Sequence, residues 1–124
     1  MTQAADFVST LYHGEDDPNK VTVALTMVLQ ARRKGHSVCL ILMADAVALG
    51  VPGAADSLDI GQPFQPAAQL LKDYLSEGGR VAVCKSCLIH NGFTVEQMDG
   101  RYEIINAPDV VDLLMGATGT LQVA

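Results

Sequence analysis

Tryptophan is absent from this chain, and three Phe and three Tyr bring the aromatic share to only 5%. With so few rings, a core for these 124 residues must be built mainly from Val, Leu, Ile, Ala and Met, as is common in layered α/β domains. No apolar run reaches the roughly 20 residues that a membrane-spanning helix needs. The length suits one domain with its own core, so we expect a single domain over residues 1–124.

Positive charge is also scarce, with 8 Lys and Arg against 14 Asp and Glu and a net charge of −6. Such a chain has no general attraction to phosphate backbones or anionic lipid surfaces, which argues against nucleic acid and membranes as partners. The first six residues lack the basic and apolar regions of a signal peptide. We therefore expect a cytoplasmic location.

Several motifs of common enzyme classes are missing. There is no Walker loop, GxGxxG or GxSxG motif, so phosphate and acyl-transfer chemistry and a nucleotide cofactor have no support. The acidic run from Glu15 to Asp17 lacks the alternation of a calcium loop. Three cysteines in a reducing compartment do not suggest a disulfide framework, because an odd number leaves at least one unpaired.

Hydrophobic patterning alternates between short strands and helices. The pattern predicts strands at residues 5–11, 37–43, 80–83, 103–105 and 121–123, and helices at residues 17–35, 66–78, 84–91 and 106–115. Because such an order needs crossover connections, it favours a parallel sheet with helices on both faces. Residues 45–66 are rich in Gly, Pro and Asp without a sustained period, and we expect a lid or an assembly surface there.

The clearest helix follows a polar loop. Asp17 can cap its start, Pro18 suits the first helical position, and Gly35 ends it after a basic last turn. In parallel sheets, ligands bind beyond the carboxyl ends of the strands. His13, the loop at Asp45 and Cys84 each follow a predicted strand. The predicted fold therefore brings them to one edge.

Cys84 is the best candidate nucleophile, because it directly follows the strand at residues 80–83 and precedes a short helix that ends near Gly92. Cysteines at helix N-termini have pKa values lowered from about 8.5 to roughly 3.5–7.5. We expect the sulfur to be open to a visiting molecule at the sheet edge, where Lys85 would add positive charge or point into water. The alternative is a small buried hydrophobic residue.

Cys87 and two histidines are weaker candidates. Cys87 would lie one helical turn from Cys84, where it would form a redox disulfide, act as a resolving thiol or pack beneath the helix. With His90 the two cysteines form a Cys-x-x-Cys-x-x-His cluster, which is incomplete as a zinc site, so no metal is predicted. His13 would orient a substrate or donate a proton, unless it is a solvated loop residue. Cys39 lies inside the most hydrophobic strand and is predicted to be core.

These features resemble the DsrE/DsrF-like family, which includes the sulfur-relay protein TusD. The likeness rests on the helix at residues 17–35, the segment after Met43, and residues 80–84 followed by Gly92. The resemblance implies a three-layer α/β/α sandwich with a mainly parallel sheet of about five strands, and assembly as a homotrimer or homohexamer. It also implies that Cys84 carries a persulfide, while Cys87 resembles a second cysteine that only part of the family has.

The leading hypothesis is a small sulfur-handling protein in which Cys84 accepts sulfane sulfur from a donor protein and passes it to an acceptor. It needs no cofactor. One alternative is a non-catalytic oligomeric module that binds a small ligand or a partner in the same crevice. The other is a dithiol redox protein that uses Cys84 and Cys87.

Overall fold

A single sheet of five parallel strands organises the computed structural model, which describes residues 2–124. Its strand order is β4-β3-β2-β1-β5, and every neighbouring pair is parallel. The strands are β1 (Phe7–Leu11), β2 (Val38–Leu42), β3 (Arg80–Cys84), β4 (Glu103–Ile105) and β5 (Gly119–Val123). The parallel sheet of five strands is confirmed, including the edge strand at the end of the chain.

Three strands end level with one another in the centre of the sheet. Leu11, the last residue of β1, pairs with Leu42, which ends β2. Leu42 pairs in turn with Val83, one residue before the end of β3. The loops that follow β1, β2 and β3 therefore leave the sheet side by side, as expected for neighbouring parallel strands.

Four α-helices connect the strands: α1 (Pro18–Arg33), α2 (Ala67–Ser76), α3 (Lys85–His90) and α4 (Ala107–Gly116). Asp17 caps α1 by accepting a hydrogen bond from the backbone N–H of Lys20 at 3.2 Å. Gly35, with φ of +95°, ends it in a left-handed conformation that suits glycine. Both ends agree with the sequence prediction.

The core is divided into two apolar layers by the sheet. On one face, α1, α2 and α3 pack against side chains such as Leu11, Leu40 and Val83. On the other face, α4 packs through Val110 and Leu113. The molecule is thus a three-layer α/β/α sandwich, which confirms the predicted fold class. Within residues 2–124, no helix combines the length and the apolar character needed to cross a membrane.

The segment after β2 is more ordered than the sequence suggested. Residues 44–50 form a 3₁₀ helix, so the expectation that residues 45–66 lack regular structure was wrong for residues 45–50. Ala46 and Val47 are fully buried on this helix, and their packing on the core explains its order. A second 3₁₀ helix, Val95–Gln97, was also missed; Thr94 and Gln97 form a capping box at its start.

Candidate functional site

Cys84 lies at the junction between β3 and α3. It is the last residue of the strand and the N-cap of the helix, with extended backbone angles of φ −68° and ψ 116°. The buried apolar residues 81–83 hold the strand in the sheet, and the exposed Lys85 and Ser86 begin the helix. The chain thus turns from strand to helix at the cysteine itself, as the sequence predicted.

The sulfur of Cys84 is less accessible than we expected from the sequence. The residue is only 4% exposed. The reason is tertiary, because α3 packs on the 3₁₀ helix at residues 44–50 as well as on β3. Leu88 anchors this packing and is fully buried. Cys84 therefore lies within this packing rather than open at the edge of the sheet.

Cys87 is the neighbour of Cys84 across the first turn of α3 and is only half-buried. Burial is the main cause that raises the pKa of the Cys87 thiol, and a hydrogen-bonding interaction with the Cys84 thiol raises it further. The backbone of Ala44, in the neighbouring loop, acts in the opposite direction and lowers the pKa. The Cys84 thiol and the backbone of the neighbouring loop therefore both influence the Cys87 thiol.

Ala44 has an unusual backbone conformation beside this pair. Its φ of +47° places it in the left-handed region, which non-glycine residues seldom adopt and which costs about 1 kcal/mol or more. The side-chain amide of Asn91 donates to the carbonyl oxygen of Cys87 at 2.8 Å and to that of Ala44 at 3.4 Å. Asn91 thus joins the end of α3 to the strained loop. Sequence reasoning missed both residues, because alanine gives no local signal for this conformation.

His13 lies in the loop after β1, where it is paired with an acidic neighbour. Its Nδ1 lies 2.6 Å from Oδ2 of Asp16, and the backbone N–H of Gly14 donates to the other carboxylate oxygen at 2.8 Å. The hydrogen bond with His13 is the largest cause that lowers the pKa of Asp16. The spacing of three residues could have indicated this pair. Within residues 2–124, no hydrogen bond links His13 to either cysteine.

The loop that carries His13 nevertheless packs against the loop that carries Ala44. Gly14 is buried so closely that a Cβ atom there would lie 3.1 Å from the carbonyl oxygen of Asp45. The three loops after β1, β2 and β3 therefore form one continuous edge. His13 belongs to this edge as a neighbour of the cysteine pair rather than as a direct contact.

The remaining candidates lie outside the cysteine pair. Lys85 and His90 are exposed, and Lys85 has no ion-pair partner in the part of the chain that is described. Cys39 is fully buried on β2, and burial raises the pKa of its thiol to about 12. Across residues 2–124, His, Cys, Asp and Glu form no group of three that could hold a metal ion.

An open cavity of about 440 Å³ lies elsewhere on the molecule. It is bounded by residues 51–56, by α2 and by Tyr102, and neither Cys84 nor Cys87 lines it. The chemistry of the two thiols and this cavity are therefore separate features.

The fold resembles that of solved proteins over almost the whole chain. The YchN protein from E. coli superposes with a TM-score of 0.75 at 19% sequence identity, covering 98% of this chain and 99% of YchN. MTH1491 from Methanobacterium thermoautotrophicum gives a TM-score of 0.62 at 14% identity, covering 94% of this chain and 99% of that protein. At these identities the likeness shows the shared fold alone.

Comparison with curated proteins finds no match. The sequence model of the DsrE/DsrF-like family, in contrast, matches residues 6–122, which include all five strands and the cysteine pair. The chain belongs to the DsrE/DsrF-like family.

Proposed function

We propose that this protein is a sulfur carrier in which Cys84 holds sulfane sulfur as a persulfide. The observation that carries the proposal is the position of Cys84, which is both the last residue of β3 and the N-cap of α3 in a DsrE/DsrF-like chain. The resemblance of residues 80–84 to the reactive-cysteine strand of that family supports the same assignment.

The chemistry needs only thiols. The Cys84 thiolate attacks the outer sulfur of a donor persulfide R–S–SH, forms Cys84–S–SH and releases the donor thiolate RS⁻. An acceptor thiolate then attacks the outer sulfur of Cys84–S–SH and regenerates the Cys84 thiolate. Each step exchanges one S–S bond for another, so the transfer requires no metal, nucleotide or external reductant.

The burial of Cys84 is compatible with a role as a sulfur carrier. A persulfide moves the terminal sulfur outward by one S–S bond, which is about 2 Å. This added reach matters because the residue itself is only 4% exposed. Burial of the inner sulfur protects it from unselective thiols, while the outer sulfur remains available to a partner that fits the edge.

The partners in this proposal are a donor protein, an acceptor protein and further copies of the same chain in a homotrimer or homohexamer. Exposed apolar side chains near and opposite the site support assembly, since Ile89 on α3 is 59% exposed and Met115 on α4 is 81% exposed. Reactions of this kind between thiols are compatible with a reducing cytoplasm.

A loading experiment tests the proposal. The Cys87→Ser variant keeps Cys84 and removes the neighbouring thiol. This variant is first reduced and then treated with inorganic polysulfide. After removal of excess reagent, its mass is measured by intact mass spectrometry. We expect the mass of one added sulfur atom, which dithiothreitol removes. The Cys84→Ser/Cys87→Ser double variant should gain none. A single variant that never gains sulfur, or a double variant that gains as much, would contradict the proposal.

A further inference from the structure

We propose that Cys87 is a resolving thiol that attacks the persulfide on Cys84, forms a Cys84–Cys87 disulfide and releases sulfide. This inference rests on the proposed persulfide at Cys84. The Cys84 persulfide then has a second fate, because sulfur that is not transferred to an acceptor is released as hydrogen sulfide.

The positions of the two residues on α3 permit such a bond. Cys84 is the N-cap and Cys87 is the third residue of the helix, a pair of positions whose side chains ordinarily meet at the start of a helix. The extended backbone at Cys84 takes its side chain out of the helical path. Residues three apart on a helix lie about 5–6 Å from one another, and Cα atoms joined by a disulfide lie about 4.4–6.8 Å apart.

The surroundings hold Cys87 in place. The side-chain amide of Asn91 donates to the carbonyl oxygen of Cys87 at 2.8 Å and to that of Ala44 at 3.4 Å, so it ties the helix to the neighbouring loop. Both cysteines belong to the first turn of α3, where residues at this spacing lie within the range that a disulfide spans. Formation of the disulfide therefore requires a change of side-chain rotamer rather than a rearrangement of the loop.

The difference in exposure gives Cys87 a role that Cys84 cannot fill. Cys84 is buried, while Cys87 in the same turn is half-buried. A thiol from outside has little access to the inner sulfur of a Cys84 persulfide, because the residue is only 4% exposed, whereas Cys87 belongs to the same helical turn. Attack on the inner sulfur is the step that yields a protein disulfide and free sulfide.

The step balances without an outside oxidant. The Cys87 thiolate attacks the Cys84 sulfur, the bond between Cys84 and the outer sulfur breaks, and HS⁻ leaves: Cys84–S–SH + Cys87–S⁻ gives Cys84–S–S–Cys87 + HS⁻. The outer sulfur is reduced to sulfide while the Cys87 sulfur is oxidised to the disulfide level. A dithiol reductant then returns both cysteines to thiols.

The test measures sulfide release and disulfide formation in the full chain after polysulfide loading, with no added thiol. We expect the wild type to release sulfide and to lose the mass of two hydrogens relative to the reduced protein, with a peptide that links Cys84 to Cys87. Cys87→Ser should retain its persulfide and release sulfide at least about tenfold more slowly. Cys39→Ala serves as the matched control and should behave as the wild type.

The two proposals fail in different ways. If Cys87→Ser loads sulfur but the wild type keeps its persulfide and forms no Cys84–Cys87 disulfide, the resolving role is overturned while the carrier role stands. If Cys87→Ser releases sulfide as fast as the wild type, the resolving role is overturned as well. If Cys87→Ser takes up no sulfur, the carrier proposal fails, and the resolving role fails with it.

Discussion

Cys84 is the N-cap of α3 and Cys87 is its third residue, and Cys84 is the more deeply buried of the two. This relationship makes the reactivity of the thiols unequal. Cys87 is the sulfur that reagents reach first, although Cys84 has the position expected of a carrier.

Alkylation of Cys87 should require a higher pH than alkylation of an ordinary cysteine. A raised pKa means less thiolate at any given pH. The rate of alkylation by iodoacetamide should therefore continue to rise when the pH passes about 8.5, the ordinary pKa of a cysteine. In Cys84→Ala the profile should move to lower pH, because the Cys84 thiol contributes to the raised pKa of Cys87. Peptide mass spectrometry across a pH series measures both profiles, and identical profiles would contradict the contact between the thiols.

Cys39 should resist alkylation in the folded protein. It is fully buried on β2, and burial raises the pKa of its thiol to about 12, so it offers neither access nor thiolate at neutral pH. Labelling should appear only when urea unfolds the chain. Labelling of Cys39 in native buffer at the rate of Cys87 would contradict the placement of β2 at the centre of the sheet.

Tyr74→Phe should lower the free energy of unfolding by about 1–3 kcal/mol. The buried Tyr74 hydroxyl lies 2.6 Å from the carbonyl oxygen of Arg80 and 3.3 Å from that of Val38, so its loss leaves a buried acceptor without its donor. Urea denaturation measures the change. Tyr12→Phe is the matched control: its ring is half-buried, its hydroxyl has no hydrogen-bond partner among residues 2–124, and a change within about 0.5 kcal/mol is expected.

Gly79→Ala should destabilise the fold by about 1–3 kcal/mol or prevent its formation. A Cβ atom at Gly79 would overlap the ring of Tyr74, which is fully buried and unable to move aside. Gly100→Ala provides the control, since nothing lies within 4 Å of the position that its Cβ would occupy. Equal thermal midpoints for the two variants would show that Tyr74 does not pack against this turn.

The ion pair between Arg80 and Glu103 should stabilise the protein only above acidic pH. Two hydrogen bonds of 2.8 and 3.0 Å join the side chains and lower the pKa of Glu103. Because the pKa of Glu103 is lower in the folded state, the ion pair stabilises the protein fully above the pKa of the unfolded state, about 4.3. This stabilisation is lost as the pH falls through the pKa of the folded state.

Because the Glu103 side chain is 36% exposed, Glu103→Gln should cost less than about 1 kcal/mol at pH 7. The urea midpoints of this variant and the wild type should converge in acid. A gap that widens as the pH falls would contradict the direction of the shift.

Much of the fold followed from local signals in the sequence. Asp17, Pro18 and Gly35 marked the ends of α1 by capping chemistry, and the apolar residues 80–83 marked β3. The position of Cys84 at the junction of strand and helix followed from the same run. These predictions succeeded because caps, turns and buried strands are determined within a few neighbouring residues.

Other features depend on contacts between distant segments. The 3₁₀ helix at residues 44–50 is stabilised by burial of Ala46 and Val47, and seven residues are too few to show a helical period. The left-handed Ala44 and its link to Asn91 have no local signature. The burial of Cys84 likewise depends on how α3 folds back on the core, so its exposure could not be inferred from the strand alone.

Localisation of the added sulfur tests the central claim most directly. The polysulfide-loaded Cys87→Ser variant is capped with iodoacetamide without reduction, digested and sequenced by tandem mass spectrometry. The account predicts that the peptide containing Cys84 carries one extra sulfur beneath the cap and that the Cys39 peptide carries none. Extra sulfur absent from Cys84, or found only at Cys39, would contradict it.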